Sequence, residues 1–107
     1  MNKAELSSPK QSLIKQCQQL NFGRITFHVR GSEPDPTRPW HTRRTVKLGS
    51  GENGPRSEAG LTDFELCKVQ QALLETLGQL EDGTQVTVEV RHGLPFLIEI
   101  EQDHRAA

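Results

Sequence analysis

The side chains able to do chemistry in this 107-residue chain are four histidines, two cysteines, 13 Lys or Arg and 14 Asp or Glu. Their spacing restricts what that chemistry is. His28, His41, His92 and His104 show no metal-ligand spacing, and neither Cys17 nor Cys67 has a second cysteine close by. The nearest approach to a ligand set is His28 with His41 and Asp35, which an opening hairpin would bring toward one another, but two solvated histidines are the plainer reading. No metal and no other cofactor is expected. A nucleophile beside a base, or a carboxylate pair with separated pKa values, cannot be picked out, so no catalytic residue is assigned and no enzyme is expected. Gly49-Ser50-Gly51 and Gly54-Pro55 lack the lysine and hydroxyl that follow the glycines of a phosphate loop.

The elements that must position these residues follow from periodicity. Ser8-Pro9-Lys10-Gln11 has the marks of a helix start, with Ser8 as cap and Gln11 closing a capping box. Leu13, Ile14, Cys17 and Leu20 follow at helical spacing as one apolar stripe. Arg24 to Arg30 alternates strictly, turning Ile25, Phe27 and Val29 inward. Gly31 to Pro39 carries three prolines and is expected to be a loop, after which Thr42 to Leu48 returns as a second strand. Gly49 to Gly60 has too little apolar surface to offset its ordering and is expected to be a flexible linker.

Thr62 and Glu65 then make a capping box, with Leu61 and Leu66 as a hydrophobic staple, and Leu66, Val69, Leu73, Leu77 and Leu80 form a second buried stripe. Val86, Val88 and Val90 alternate with polar residues as a third strand. His92-Gly93 makes the turn, and Phe96, Ile98 and Ile100 point inward from a fourth strand ahead of a frayed tail at Gln102 to Ala107. Each cysteine lies on or near an apolar stripe and is expected to be a reduced core residue, a disulfide between them being the alternative.

The two halves share one grammar: a helix ending in leucine, a glycine, an alternating strand and a turn. A lone helix-hairpin unit leaves a sheet face uncovered, so two should share a core. The expected fold is α+β of order αββαββ, a four-stranded, mainly antiparallel sheet with two helices packed on one face. It is a single domain over 1–107, with unit one at about 8–48, the linker at about 49–61 and unit two at about 62–101. Leu20-Asn21-Phe22-Gly23-Arg24-Ile25-Thr26-Phe27-His28-Val29, and again Arg44-Thr45-Val46-Lys47, resemble the YezD-like family of small uncharacterised bacterial proteins. That resemblance covers about a third of the chain and implies one helix with a two-stranded hairpin; it implies no activity. The Gly31 to His41 insertion departs from the family's tight turn.

Charge is distributed unevenly. Residues 1–50 hold nine Lys or Arg against three acids, a net of +6, while residues 51–107 hold four against eleven, a net of −7. The outward face of the first hairpin should carry Arg24, His28, Arg30, Arg43 and Lys47 as a basic stripe, with Glu89, Glu99, Glu101 and Arg91 beside it. Trp40, on a stiff proline-rich segment, either anchors a partner or covers the sheet edge. The candidate binding surface is therefore Arg24, His28, Arg30, Trp40, Arg43 and Lys47. Its function is expected to be that of a noncatalytic binding or adaptor domain acting through the open sheet face, toward a protein partner or a second copy in a homodimer. The alternative is a nucleic-acid-binding protein using the basic first hairpin, Arg44 included, although exposed aromatics are missing from that face. The first ten residues are polar and no apolar run reaches about 18 residues, so no membrane partner is expected and the expected location is the cytoplasm.

Overall fold

The structure is a computed structural model, which describes residues 1–49, 54–55, 61 and 63–102. Helix α1 (Ser8–Leu20) buries the stripe that its spacing predicts: Leu13, Ile14 and Cys17 are fully enclosed and Leu20 nearly so. Its start is built differently from expectation. Ser7 rather than Ser8 is the N-cap, and its hydroxyl donates to Glu33 at 2.9 Å instead of capping the helix, while the Gln11 amide donates to the Leu6 carbonyl at 2.8 Å. Pro9 stays in the first turn, where a missing N–H removes no helical bond.

Five strands form one antiparallel sheet: β1 (Gly23–Arg30), β2 (Glu33–Pro34) and β3 (His41–Arg44) lie between α1 and α2 (Lys68–Leu77), and β4 (Gln85–Arg91) and β5 (Leu94–Glu101) come after α2. The order is β2-β1-β4-β5, with β3 also on β1. The strand count corrects the expected four. Gly31 and Ser32, both at positive φ, make a tight turn that returns the chain at once as β2, and the prolines then carry it off the sheet until His41. Pro34 is tolerated in this edge strand because Val29 opposite it spends its backbone groups elsewhere: its N–H donates to the Thr84 carbonyl at 2.9 Å and its carbonyl accepts from the Gly83 N–H at 2.8 Å. Strand pairing stops at Arg44, short of the expected Leu48.

Strands β1 and β4 are the centre, with Ile25 opposite Val88 and Phe27 opposite Val86. Ile25, Phe27, Val29, Val86, Val88 and Val90 are each at most 1% exposed, and they form a single cluster with Leu13, Ile14 and Cys17 of α1 and Leu73, Leu74 and Leu77 of α2. The alternation of both strands is thus resolved into one buried and one polar face.

The second helix departs further from expectation. It starts at Lys68, with Cys67 as an exposed N-cap, so Cys67 is no core residue. The box is closed by Gln70, whose side-chain oxygen accepts the Cys67 N–H at 3.0 Å. Thr62 lies outside the described residues, as do most of the expected linker and positions 103–107 of the expected tail. Val69 is exposed, Gln70 is buried in its place, and Leu80 only borders the core. The polar N-terminal segment, which carried no apolar signal, is tied in by backbone: Asn2 bridges Glu65, Lys3 donates to the Phe64 carbonyl and Leu66 to the Met1 carbonyl, both at 2.9 Å. Lys3 is buried there, its amine on the Leu61 carbonyl at 3.0 Å, and burial holds its pKa below the usual lysine range. No described helix is long and apolar enough to cross a membrane.

Candidate functional site

Arg24 is the hub of the polar side of the sheet. It lies opposite Arg43 of β3 on one flank and opposite Glu89 of β4 on the other. Its guanidinium reaches Glu99 of β5 at 3.3 Å and Glu89 at 3.9 Å, and Glu89 also meets Arg91 at 3.8 Å. The basic and acidic halves of the sequence therefore meet as ion pairs within one molecule. Exposed pairs of this kind contribute about 0–1 kcal/mol each, so their main effect is to orient the two arginines.

Beside Arg24 the sheet ends in a cleft of about 380 Å³ lined by Phe22, Gly23, Arg24, Thr45, Lys47, Glu89, Val90, Arg91 and His92. Gly23 makes it. This residue has φ +149°, and a Cβ on it would stand 2.0 Å from the Arg43 carbonyl oxygen, so only glycine lets β3 pass this close to β1. Beyond β3 the chain stays along this edge, the Thr45 N–H donating to the Phe22 carbonyl at 2.9 Å. Lys47 then places its amine 4.3 Å from the centroid of the Phe22 ring. From the opposite side, the β4–β5 turn brings His92 edge-on to Phe22 at 4.8 Å between ring centroids, fixed by the Gly93 N–H donating to the Asn21 carbonyl at 2.9 Å. His92 and Gly93 both have positive φ, as a two-residue hairpin turn requires. Arg91 lies 3.9 Å from the Phe96 ring centroid.

The cleft thus gathers Arg24, Lys47, Arg91 and His92 from three segments around one carboxylate, Glu89, with an aromatic floor. Such a set offers charge-assisted N–H donors to a phosphate or carboxylate. Cys17 is sealed in the core, where burial pushes its thiol up to about 12, and Cys67 is an exposed free thiol on the helix start.

Arg24, Arg43 and Lys47 of the sequence-derived surface come together at this end of the sheet. The rest do not. Arg30 is at the other end of β1, about 20 Å along the strand from Arg24, opposite Glu33. His28 sits half-buried opposite Gln85, with a buried Nδ1 that has no hydrogen-bond partner among the described residues, whereas His41 lies opposite Thr26, so the two histidines do not face each other. The Asp35 carboxylate accepts the Thr37 N–H at 2.9 Å and the Thr37 hydroxyl at 2.7 Å. Among the described residues no three His, Cys, Asp or Glu side chains are grouped to hold a metal. Trp40 is half-buried against Phe27, 5.6 Å between centroids, and its indole N–H donates to the Asp35 carbonyl at 3.3 Å. It covers the sheet edge. Sequence reasoning gave neither Phe22 nor His92 a place in the site, reading His92 only as part of a turn; the β1–β4 pairing, which sets Gly23 opposite Val90, brings them together.

Comparison of the chain with protein-family models, with curated proteins and with solved structures finds no match.

Proposed function

We propose that this chain is a noncatalytic binding module that receives an anionic side chain of a protein partner in the cleft between Phe22, Lys47 and His92, with the adjoining open face of the sheet as the contact surface. The observation that carries this reading is the convergence of Arg24, Lys47, Arg91 and His92 on one cleft around the single carboxylate of Glu89. A volume of about 380 Å³ suits one phosphorylated or carboxylate side chain with a neighbouring residue. Glu89 lies 3.9 Å from the Arg24 guanidinium and 3.8 Å from that of Arg91, and so draws both toward the cleft.

A nucleic-acid reading draws support from the Arg24–Arg43 adjacency and from Arg44 and Lys47 beyond it. Against it, Glu89 and Glu99 interrupt the basic surface by pairing with Arg24. The two readings separate in an NMR titration of the isotope-labelled chain with a phosphoserine peptide, an acidic peptide and a single-stranded RNA. The proposal expects saturable shifts of Phe22, Gly23, Lys47 and His92 amides with a peptide, lost in Lys47→Glu. Shifts spread along Arg43 and Arg44 with RNA alone, steeply weakened by salt, would transfer the function to nucleic acid. No response to any of the three would remove the site.

A further inference from the structure

On the footing of the anion cleft proposed above, we propose that its ligand is a phosphate monoester carrying one proton, which it donates to Glu89, and that the site thereby selects against anions of the same shape that bring no proton. Glu89 orients the two arginines, but it also puts a negative charge in the wall of an anion cleft. One of its oxygens, Oε1, stands 3.9 Å from Arg24 Nη2 and 3.8 Å from Arg91 Nη2, and the Glu89 side chain is only 20% exposed. Both distances exceed the span of about 2.7–3.2 Å that an N–H···O hydrogen bond covers. Among the described residues the Arg24 guanidinium makes one hydrogen bond, from Nη1 to Glu99 at 3.3 Å, and the Arg91 guanidinium, set against the Phe96 ring, makes none. The Nη2 groups of both arginines therefore border the carboxylate with their N–H donors unspent.

An anion that takes N–H bonds from both Nη2 groups must come to rest beside Glu89 Oε1, because both nitrogens border that one oxygen. A carboxylate only accepts hydrogen bonds, so two acceptors of like charge are then in contact unless one carries a proton. Repulsion at so short a range in a partly buried site is little screened by salt. A carboxylate, a sulfate ester and a fully ionised phosphate ester bring no proton. A phosphate ester with one proton brings an O–H donor for Glu89 and keeps two oxygens for the arginines, and O–H···O⁻ bonds are among the short, strong ones. The other charged groups around Glu89 do not supply that donor. Arg24 on β1 and Arg91 on its own strand lie beyond hydrogen-bond range, and Lys47 and His92 meet at the Phe22 ring. On β5 Glu89 faces the uncharged Leu97, and Glu99 is taken up by the other arm of Arg24.

NMR titration of the labelled full chain, followed at the Phe22 and Gly23 amides, tests this with three end-blocked tripeptides that carry phosphoserine, sulfoserine or aspartate between two alanines. Sulfoserine has the tetrahedral shape and the single charge of the protonated phosphate but no O–H. At pH 6 phosphoserine should bind at least about tenfold tighter than either of the others. Between pH 8 and pH 6 the protonated share of phosphoserine rises from about 1% to about 50%, its second pKa being about 6, so its affinity relative to sulfoserine should rise about fiftyfold. Any charge that His92 gains over this range acts on both esters and drops out of that ratio. In Glu89→Gln, whose amide can donate to an ester oxygen, sulfoserine should bind as tightly as phosphoserine and the ratio should no longer rise. Equal affinities of the wild-type chain for the two esters would overturn the protonated ligand and leave the anion cleft standing. So would an aspartate peptide that binds as tightly as phosphoserine at pH 6, or a ratio that falls between pH 8 and pH 6. No shift with any of the three peptides at either pH would remove the cleft, and its ligand with it.

Discussion

The two halves of the molecule bury the same kind of residue and treat it in opposite ways. Gln18 of α1 and Gln70 of α2 are both enclosed, at 0% and 3% exposure. Gln70 is anchored, its oxygen taking the Cys67 N–H at the helix start, whereas both side-chain polar atoms of Gln18 have no partner among the described residues. The strands show a parallel contrast. The second half is the more regular, a hairpin closed by His92-Gly93 with a single bulge opposite Glu89 and Val90; the first half returns in two pieces, interrupted by prolines, with Trp40 laid over the gap. Irregularity in the first half is what opens the cleft: β3 ends early, the chain turns past Phe22, and Gly23 allows the close approach. Regularity in the second half leaves β5 as a continuous terminal strand with no partner on its outer side among the described residues.

The largest expected effect breaks the irregular half at its tightest point. Gly23→Ala would force the Arg43 carbonyl away from β1 and place alanine at φ +149°, so the β1–β3 pairing must open. We expect a loss of about 3 kcal/mol in urea-induced unfolding, together with loss of anion-dependent shifts at Phe22 and Lys47. The corresponding replacement in the second half, at Gly83, has open space around a Cβ and strain from φ +88° alone, and should cost about 1 kcal/mol. Equal losses at the two glycines would show that close approach is not what distinguishes Gly23.

The glutamines sharpen the comparison with opposite signs. Gln18→Leu removes two buried polar atoms that make no bond among the described residues and keeps the volume, and is expected to stabilise by about 1 kcal/mol. Gln70→Leu leaves the Cys67 N–H without its acceptor and should destabilise by about 1 kcal/mol. Thermal melts of the two variants beside the wild-type chain check both. A destabilising Gln18→Leu would mean that this side chain is used in a way the geometry does not show.

Much of the fold was legible because alternation and helical spacing are local. Leu13, Ile14, Cys17, Ile25, Phe27, Val29, Val86, Val88 and Val90 all occupy the buried positions that their periodicity implies. What was not legible was set by contacts between distant positions. Cys67 has the spacing of an α2 core residue, but the helix begins after it, where Leu66 and Phe64 pair with the N-terminal segment. Ile100 continues the β5 alternation, yet it lies on the terminal strand, where facing the helix side does not ensure cover. Of the candidate site, the basic residues of β1 and β3 could be read directly. Arg91 could be placed beside them, but Phe22 and His92 could not, since apolar and turn residues carry no sign of the strand that will face them.

The smallest effect concerns the covered edge and is read through pH. Asp35 sits where the chain leaves β2; its carboxylate is held by the Thr37 hydroxyl and N–H, with Arg30 and Arg38 near, and these hold its pKa below the ordinary 3.8. Its backbone carbonyl receives the Trp40 indole, so the turn it stabilises is the one that seats the edge cover. At neutral pH both folded and unfolded chains carry the charge, and the folded form gains from it. As pH falls below the ordinary value the unfolded chain takes up the proton first, and that gain is lost progressively until the folded carboxylate is also protonated. Asp35→Asn cannot make this gain, so its stability should fall below that of the wild-type chain at pH 7 and converge with it as the pH drops through the window beneath 3.8. Urea midpoints of both proteins across that range measure the difference directly, and other carboxylates, common to both, cancel. A gap that stays constant with pH would assign the loss to the shape of the turn rather than to its charge, and Trp40 would then be held by the prolines alone.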